Sequence, residues 1–391
     1  MTDHDSTTPV PEVEALFGLS GGRVSRGLER MQLARDARLH SGRVAVILAA
    51  LTWLPLLVLA AIEGVAWGSA VQVPLVRDYL PYGQLLIAIP VLVLGELTVS
   101  RYLIQAVAGL RSSEVLDPKN ASALDAVLKS AIGRWRGRGV NLVLLVLTFI
   151  ATGVSLFEAR EWLTGGWQVA GEGMTMAGWW YLVISLPVMR FLALRWLWRI
   201  LLWAWFLWRV SHLELRPRPA HPDRAGGLAF LGGAQAAFGV LVFAFGVQLS
   251  CLAADAVHFR GAELIAFRGE IVAFVVITVV ALLLPLVVFA PKLVRAREEQ
   301  LLFLSGSAHR GAGDLSRKLR SSESGELPAD AVSGLSDFGV LYENARLMRP
   351  VPLEIRHVVM LVLAAAVPFL PLIFLVMPAR EVLATLAKLL I

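Results

Sequence analysis

Two charged side chains stand inside long apolar runs of the sequence, where a charge needs a partner. Glu96 lies in the run that begins near Gln84, and Arg190 lies in the run that begins at Trp179. If both runs are helices that cross a membrane in the same direction, a rise of about 1.5 Å per residue puts the two side chains at nearly the same depth. An unpaired arginine near the bilayer centre costs about 3 kcal/mol on insertion scales. The spacing therefore predicts an ion pair between Glu96 and Arg190.

Other arrangements of Glu96 stay open. The carboxyl group could face a cavity by itself, or it could pair with Arg101 after local distortion. Arg101 and Arg195 lie closer to the end of their apolar runs, so their long side chains can extend to lipid headgroups. We therefore expect both to be poorer partners than Arg190.

A short polar turn with basic residues and two glycines follows the Arg190 run. The structural interpretation is that Asp223 caps a helix beginning near Arg224. The functional interpretation is that the glycines let backbone N–H groups approach an anion or a lipid headgroup. The residues of this candidate anion or headgroup site are Arg216, Arg218, His221, Asp223, Arg224, Gly226 and Gly227. A metal site formed by His212, Glu214, His221 and Asp223 matches no standard zinc spacing, so we expect no metal.

The composition defines the class of protein that carries these residues. Hydrophobic residues make up 57% of the chain, charged residues 17%, and the mean hydropathy is +0.67. These values are typical of a multi-pass membrane protein, and the net charge of +6 then reflects orientation in the membrane. We expect no nucleic-acid partner. Cys251 is the single cysteine, which excludes an intrachain disulfide, and no sequence feature predicts a cofactor.

Apolar runs of roughly the 20 residues that cross a bilayer predict an all-α transmembrane helical bundle with about seven spans. Lysine and arginine are abundant before the first span and in every second loop, which predicts a cytoplasmic N-terminus and a periplasmic C-terminus. A cytoplasmic segment with a basic amphipathic helix precedes the transmembrane domain, and an interfacial helix follows it. The predicted parts are 1–43, the domain 44–378 with spans 44–64, 82–104, 140–157, 178–199, 228–252, 269–291 and 357–378 and a cytoplasmic loop 292–356, and the tail 379–391.

Four segments between or within the spans have a distinct pattern. Asn120 can cap an amphipathic helix that we expect to float on the inner leaflet. Beyond Arg199 the fourth run either turns along the interface or continues inward, and its tryptophans are expected to anchor it there. The stretch 305–327 is rich in glycine and serine and reads as a flexible connector. The fifth span carries small residues near one face, which predicts a packing seam: Gly232, Ala236, Gly239, Gly246 and Ser250.

Two parts of the chain resemble a known family. The turn LELRPRPAHPDRAGGLAFLG, the stretch SGLSDFGVLYENARLMRPVPLEIRHVVM and the proline-broken PFLPLIFLVMP are similar to those of a family of uncharacterised bacterial integral membrane proteins. The similarity covers 210–240 and 333–391. It implies a bacterial inner-membrane location and transfers no catalytic residue.

Three kinds of function remain compatible with the sequence. The chain contains no GxxxxGK[ST] or HExxH motif, and the 292–356 loop is too short for a separate catalytic domain. Charges within the spans favour a small-solute or ion transport or channel-type protein. The alternative is a non-catalytic membrane scaffold or lipid-sensing protein that contacts anionic headgroups, and a homo-oligomer stays open. The third is an intramembrane lipid-modifying enzyme that uses His221 and Asp223.

Overall fold

The computed structural model of the chain describes residues 37–112, 115–162, 166–170, 173–321 and 329–376. The predicted basic helix before residue 37 and the interfacial tail 379–391 lie outside these residues. Apart from one short hairpin, the elements of the described part are helical. They are α1 Ala37–Ile62, α2 Tyr79–Ser112, α3 Ala121–Arg136, α4 Arg138–Trp162, β1 Val169–Ala170, β2 Gly173–Met174, α5 Met176–Ser211, α6 Phe230–Ala236, α7 Gly239–Arg260, α8 Arg268–Leu283, α9 Ala290–Ser321, α10 Ala329–Arg346, α11 Ile355–Ala366 and α12 Leu370–Val376.

The described helices are long enough for a multi-pass membrane protein. Six described helical stretches are long and apolar enough to cross a membrane, three of which each join two of these helices: Phe230–Arg260, Leu264–His309 and Ile355–Leu375. A seventh span is obtained if Ala121–Trp135 and Gly139–Ser155, which are bent by 45°, count as one. Each of the seven predicted spans overlaps a described helix. The prediction of an all-α bundle is therefore confirmed at the level of helices compatible with several membrane crossings.

The connections between the helices gather at two ends of the bundle. At one end, Trp167 N donates to Val73 O (3.0 Å), and the carboxylate of Glu63 accepts from Met176 N (2.8 Å). We call this the Trp167 end. At the other, the Asp223 end, Leu116 pairs with Leu215, and Arg349 N donates to Arg224 O (2.8 Å). The second, fourth and sixth loops, which are rich in basic residues, thus meet at one end.

Two helices continue where the sequence suggested an interruption. Helix α5 runs through Arg199 to Ser211, so the fourth run continues as one helix beyond Arg199. Trp196 and Trp203 are 4% and 1% exposed, so these rings pack in the core rather than anchoring at an interface. The interpretation of 305–327 as a connector is wrong for its described part, because α9 continues to Ser321, and 322–327 lie outside the described residues. Its glycines are tolerated at a cost of about 1 kcal/mol each within a helix.

Helix α3 is amphipathic, as predicted, but its apolar side packs on protein. Leu124 and Leu128 are each 1% exposed, and the guanidinium of Arg134 lies 4.6 Å from the ring centroid of Trp205 in α5. The expectation that this helix floats on a leaflet is therefore wrong for that side. Asn120 occupies the N-cap position, yet its side chain makes no capping hydrogen bond.

The small residues of the fifth span form the predicted packing seam. A Cβ atom on Gly232 would lie 2.6 Å from Nδ1 of His357, and one on Gly246 would lie 2.9 Å from Cγ of Pro368. Gly239 faces the same neighbour, with Ala364 Cβ 3.2 Å from such an atom. The absence of side chains here lets the α6–α7 segment approach α11 and the residues that follow it.

Candidate functional site

The Glu96 carboxylate lies between two arginines of α5. Its Oε1 accepts a hydrogen bond from Arg199 Nη2 at 2.9 Å and from Arg195 Nη2 at 3.5 Å. The exposed fractions of the three side chains are 11% for Glu96, 3% for Arg199 and 26% for Arg195. One carboxylate therefore faces two guanidinium groups, one of them buried and the other partly accessible.

The predicted partner of Glu96, Arg190, is directed elsewhere. Arg190 Nη2 donates to Ser155 Oγ of α4 at 2.5 Å, whereas the salt bridges described for Glu96 are those with Arg195 and Arg199. Depth in the membrane alone selects Arg190 as the partner of Glu96. At about 3.6 residues per turn, however, Arg190 and Arg199 are two and a half turns apart, so they project from opposite sides of α5. Arg195 and Arg199 are one turn apart and share a side. The expected Glu96–Arg190 pair is therefore corrected to a Glu96–Arg199–Arg195 group.

Aromatic rings complete the surroundings of the two guanidinium groups. The ring centroid of Trp135, which ends α3, lies 5.6 Å from the guanidinium carbon of Arg195 and 5.3 Å from that of Arg199. The ring centroid of Trp196 lies 5.1 Å from the guanidinium carbon of Arg199. Ring faces attract cations through their quadrupole, more strongly where water is excluded. Helix α3 thus supplies one wall of the charged group.

A cavity of about 470 Å³ opens beside this group, between α1, α2, α4 and α5. Its volume is in the range of about 300–1,000 Å³ that small-molecule sites occupy. Three apolar side chains on its wall are themselves half exposed: Leu145 at 44%, Phe149 at 53% and Val183 at 52%. Glu96, Arg195 and Arg199 form a charged part of an otherwise mostly apolar lining, which makes the cavity amphipathic.

The polar turn 212–229 has an anion-binding geometry that is already filled. Asp223 Oδ1 accepts from Ala225 N (2.8 Å) and Gly227 N (3.1 Å), and Oδ2 accepts from Ala229 N (3.1 Å). Gly226 and Gly227 have φ of +66° and +88°, which allows these N–H groups to converge. The backbone donors that we expected to bind an external anion are therefore bound by the Asp223 carboxylate. The interpretation of Asp223 as a cap agrees better with the structure than the anion site does. The capped segment is the turn before α6, however, and not a helix that begins near Arg224.

The His221–Asp223 pair is poorly suited to acid–base catalysis. His221 Nδ1 lies 2.9 Å from Asp223 Oδ1. Burial raises the pKa of Asp223, but hydrogen bonds from the backbone N–H groups of Ala225, Gly227 and Ala229 and from His221 outweigh it, so the pKa is lowered. A carboxylate with a lowered pKa is a weak base.

The remaining basic residues of the turn contribute to contacts within the protein. Arg216 Nη2 lies 2.7 Å from Asp117 Oδ2, and Arg218 N donates to Gly226 O at 3.2 Å. The guanidinium of Arg349 donates to the carbonyl of Asp223 at 3.0 Å. Within the described ranges, no three His, Cys, Asp or Glu side chains are grouped to hold a metal ion. The turn thus joins three loops at its end of the bundle.

A second polar group, at the Trp167 end, was missed from the sequence. Asp78 Oδ2 accepts from Trp167 Nε1 (2.8 Å), and Asp255 Oδ1 accepts from Tyr79 N (2.9 Å). The N–H of Leu80 points at both carboxylates, 3.1 Å from Asp78 Oδ1 and 3.2 Å from Asp255 Oδ2. Burial raises the pKa of Asp78, and the hydrogen bond from Trp167 opposes this increase. The available signal was Asp255, an aspartate directly after the predicted fifth span 228–252 and still within α7.

Three uncharged polar side chains, one each on α2, α5 and α7, are joined by hydrogen bonds. Tyr181 Oη donates to Gln84 Oε1 at 2.5 Å, and Gln84 Nε2 donates to Gln248 Oε1 at 3.2 Å. Gln84 and Tyr181 lie in π-helical turns, Tyr82–Ala88 and Tyr181–Ser185. Such turns interrupt the regular helix and are frequent at functional sites.

No family model matches the chain, and no curated protein or solved structure is significantly similar to it. The resemblance to bacterial integral membrane proteins therefore stays a prediction. The candidate site rests on the geometry of this chain alone.

Proposed function

We propose that the protein binds one amphiphilic molecule of the bilayer in the cavity beside Glu96, as a lipid-binding or lipid-sensing membrane protein. The observation that carries this proposal is the cavity itself, which combines a volume of about 470 Å³ with mostly apolar walls and a charged group on one side. An apolar chain gains from close contact with such walls, and a polar end needs hydrogen-bonding partners when it leaves water. The cavity offers both in one place.

The exposed residues of the cavity wall support entry from the lipid rather than from water. Leu145 and Phe149 belong to α4, and Val183 belongs to α5. Large exposed apolar side chains of a membrane-spanning helix contact lipid chains, which can pass between them into the apolar space behind. A water-soluble solute would have to cross the same apolar wall without compensation.

A pair of substitutions on α1 tests the proposal. Leu48 lines the cavity, whereas Leu51 lies on the same helix, is 48% exposed and does not line it. The purified protein should carry a stoichiometric single-chain lipid that organic extraction and mass spectrometry identify. Leu48→Trp, which fills the cavity, should lose this lipid, and Leu51→Trp should retain it. Equal lipid content in the two variants would contradict the proposal.

Transport of a small solute or an ion is a second candidate, supported by these polar residues. Gln84, Tyr181 and Gln248 are joined to one another by hydrogen bonds between the helices. Buried polar side chains within spans are a common feature of ion pathways. Proteoliposomes with an internal pH-sensitive dye should then show a flux that Gln84→Leu reduces and Leu51→Trp leaves unchanged. Absence of a flux above that of empty liposomes would remove this candidate.

We also propose a bacterial inner-membrane location with a cytoplasmic N-terminus. The meeting of the basic loops at the Asp223 end supports this orientation, because basic loops collect on the cytoplasmic side, where anionic headgroups attract them. A reporter active only in the cytoplasm should function after Arg320, and one active only outside should function after Ile391. The opposite result at either position would contradict the orientation.

A further inference from the structure

We propose that the molecule bound in the cavity is a single-chain lipid with an oxyanion head, a carboxylate or a phosphate, and that Arg195 binds this head. The inference rests on the proposed function and names its ligand class. Three observations carry it: the balance of charge at the cavity wall, the accessibility of Arg195, and the size of the cavity.

The charge at the wall favours an anion. Glu96 supplies one negative charge to the two guanidinium groups of Arg195 and Arg199. The charged side chains of the cavity lining are thus two guanidinium groups and one carboxylate, and in a medium without water such a wall attracts an anion far more strongly than it does in solution. An anionic head would restore the balance, a neutral head would leave it unchanged, and a cationic head would worsen it.

The two arginines differ in what they can offer to a ligand. Arg199 is 3% exposed and lies 2.9 Å from Glu96, whereas Arg195 is 26% exposed and its contact with Glu96 is longer, 3.5 Å. Both line the cavity. The geometry therefore makes Arg195 the arginine with accessible donors and a weaker internal contact.

The guanidinium of Arg195 suits an oxyanion in particular. Its planar arrangement of N–H donors matches carboxylate and phosphate oxygens, with two parallel hydrogen bonds available. Trp135 covers the guanidinium with its ring face at 5.6 Å, which limits access of water on that side. The contact that Glu96 already makes shows that a carboxylate fits against this group.

The volume of the cavity points to one hydrocarbon chain. At about 470 Å³ the space lies in the lower half of the range for small-molecule sites, and its walls come from α1, α2, α4 and α5 with Trp135 of α3. A single chain with its head at Arg195 places apolar and polar parts against matching walls. A second chain of a phospholipid would remain outside.

Glu96 and the ligand then compete for Arg195. The carboxylate of Glu96 holds Arg195 in the empty site, and an incoming oxyanion replaces that longer contact. Glu96→Gln should consequently strengthen the binding of an anionic amphiphile, although the same change removes a salt bridge from the unliganded protein.

The experiment uses the full-length protein in a neutral detergent and four single-chain amphiphiles of equal chain length: hexadecanoate, hexadecyl phosphate, hexadecanol and hexadecylammonium. Apparent affinity is obtained from the dependence of the thermal midpoint on amphiphile concentration. We expect both anions to bind about tenfold more tightly than the alcohol, as for one hydrogen bond to a charged group, and the ammonium to bind most weakly. The stronger of the two anions identifies the preferred head.

Variants separate a specific site from general attraction by basic residues. Arg195→Gln should bind the anions and the alcohol alike, whereas Arg209→Gln, an exposed position on the same helix, should keep the preference for anions. Arg195→Lys should retain part of it, and Glu96→Gln should increase it. A preference that survives Arg195→Gln, or one that Glu96→Gln diminishes, would overturn the inference; if Arg195→Gln does not fold, the Glu96→Gln result decides.

The same measurements distinguish this inference from the proposed function. If all four amphiphiles stabilise the protein equally and Leu48→Trp abolishes the effect, the cavity binds a chain and the assignment of the head is wrong. If none of them stabilises the protein, both proposals fail.

Discussion

Glu96 and Asp223 each accept several hydrogen bonds, but their donors come from very different distances along the chain. The donors of Asp223 are backbone N–H groups two, four and six residues away. The donors of Glu96 are guanidinium groups 99 and 103 residues away on another helix. Asp223 is satisfied by its own turn, whereas Glu96 depends on how two helices pack and lies on the wall of a cavity.

This difference shows how a motif-like segment can mislead. The turn around Asp223 carries arginines, a histidine and glycines, which together suggest a binding site, yet its donors and acceptors are used internally. Glu96 belongs to no motif, and its neighbours become evident only after folding. A polar group is available for a ligand where the fold leaves space beside it, and of these two carboxylates only Glu96 lines the cavity.

The largest expected effect concerns the charged group. Glu96→Gln leaves two guanidinium groups without their carboxylate, which should reduce the free energy of unfolding by about 3 kcal/mol. The double change Glu96→Gln/Arg199→Leu should be less destabilising than the single one, because it also removes the most buried positive charge. Thermal and denaturant unfolding in detergent provide the measurement.

Arg190 supplies the matched control for this prediction. Glu96→Gln/Arg190→Leu should show no such recovery, since Arg190 contacts Ser155 on the opposite side of α5. A recovery with Arg190→Leu and none with Arg199→Leu would restore the pairing expected from depth alone.

A slightly smaller loss in the free energy of unfolding is expected from Asp223→Ala. This substitution leaves the N–H groups of Ala225, Gly227 and Ala229 without their acceptor, and we expect a loss of about 2 kcal/mol in the free energy of unfolding. His221→Ala removes a contact made by a side chain that is 45% exposed, so its cost should stay below about 0.5 kcal/mol. Equal costs for the two variants would show that the turn is held by the pair rather than by the Asp223 carboxylate.

Larger side chains should destabilise the tightly packed seam at Gly232 but not the wall of the cavity beside Glu96. Gly232→Ala brings a methyl group against Nδ1 of His357 (2.6 Å) and the carbonyl of Pro352 (3.0 Å), which should cost about 1.5 kcal/mol. Gly233→Ala is the control, because the nearest atom to its added methyl is 3.7 Å away. Val188→Leu at the cavity wall should be close to neutral in stability. A cost at Val188 as large as that at Gly232 would mean that the cavity does not accommodate a ligand.

The smallest effect is a dependence of stability on pH. Because the pKa of Asp223 is lowered in the folded protein, its contribution is fully present above the ordinary aspartate pKa of about 3.9 and is lost as pH falls through the lower folded value. The difference in thermal midpoint between the native protein and Asp223→Asn should therefore be constant near neutral pH and decrease below about pH 4. A difference that grows on acidification would contradict the assignment.

The positions of the apolar helices could be predicted from the sequence because membrane helices are encoded locally, although α5 extends to Ser211, beyond the predicted span 178–199. The seam at Gly232, Gly239 and Gly246 was predicted for the same reason, since small residues at helical spacing report directly on one face. Helix α9 was missed beyond Leu304, where glycine and serine suggest a connector although the described helix continues. Local propensity is a weak guide where tertiary context decides.

The candidate site was predicted only in part. Glu96 was selected because a charge in an apolar run is costly, and the sequence contains that information. Its partner could not be selected by depth, because the rotation of α5 about its own axis decides whether Arg190 or Arg199 faces α2. Trp135 could not be assigned to the site either, since α3 was expected to lie on lipid. These relations arise from packing between distant segments, which a single sequence does not display.

The carboxylates that cap the starts of α2 and α5 imply an order of assembly during synthesis. Glu63, which accepts from Met176 N and Ala177 N, precedes the helix that it caps by more than a hundred residues. Asp255, which accepts from Tyr79 N, follows its helix by 176 residues. Because translation proceeds from the N-terminus, the start of α5 finds its acceptor already made, whereas Tyr79 N must wait until the fifth apolar run has emerged. The Trp167 end of the bundle is thus completed only after a segment from the second half of the chain has been made.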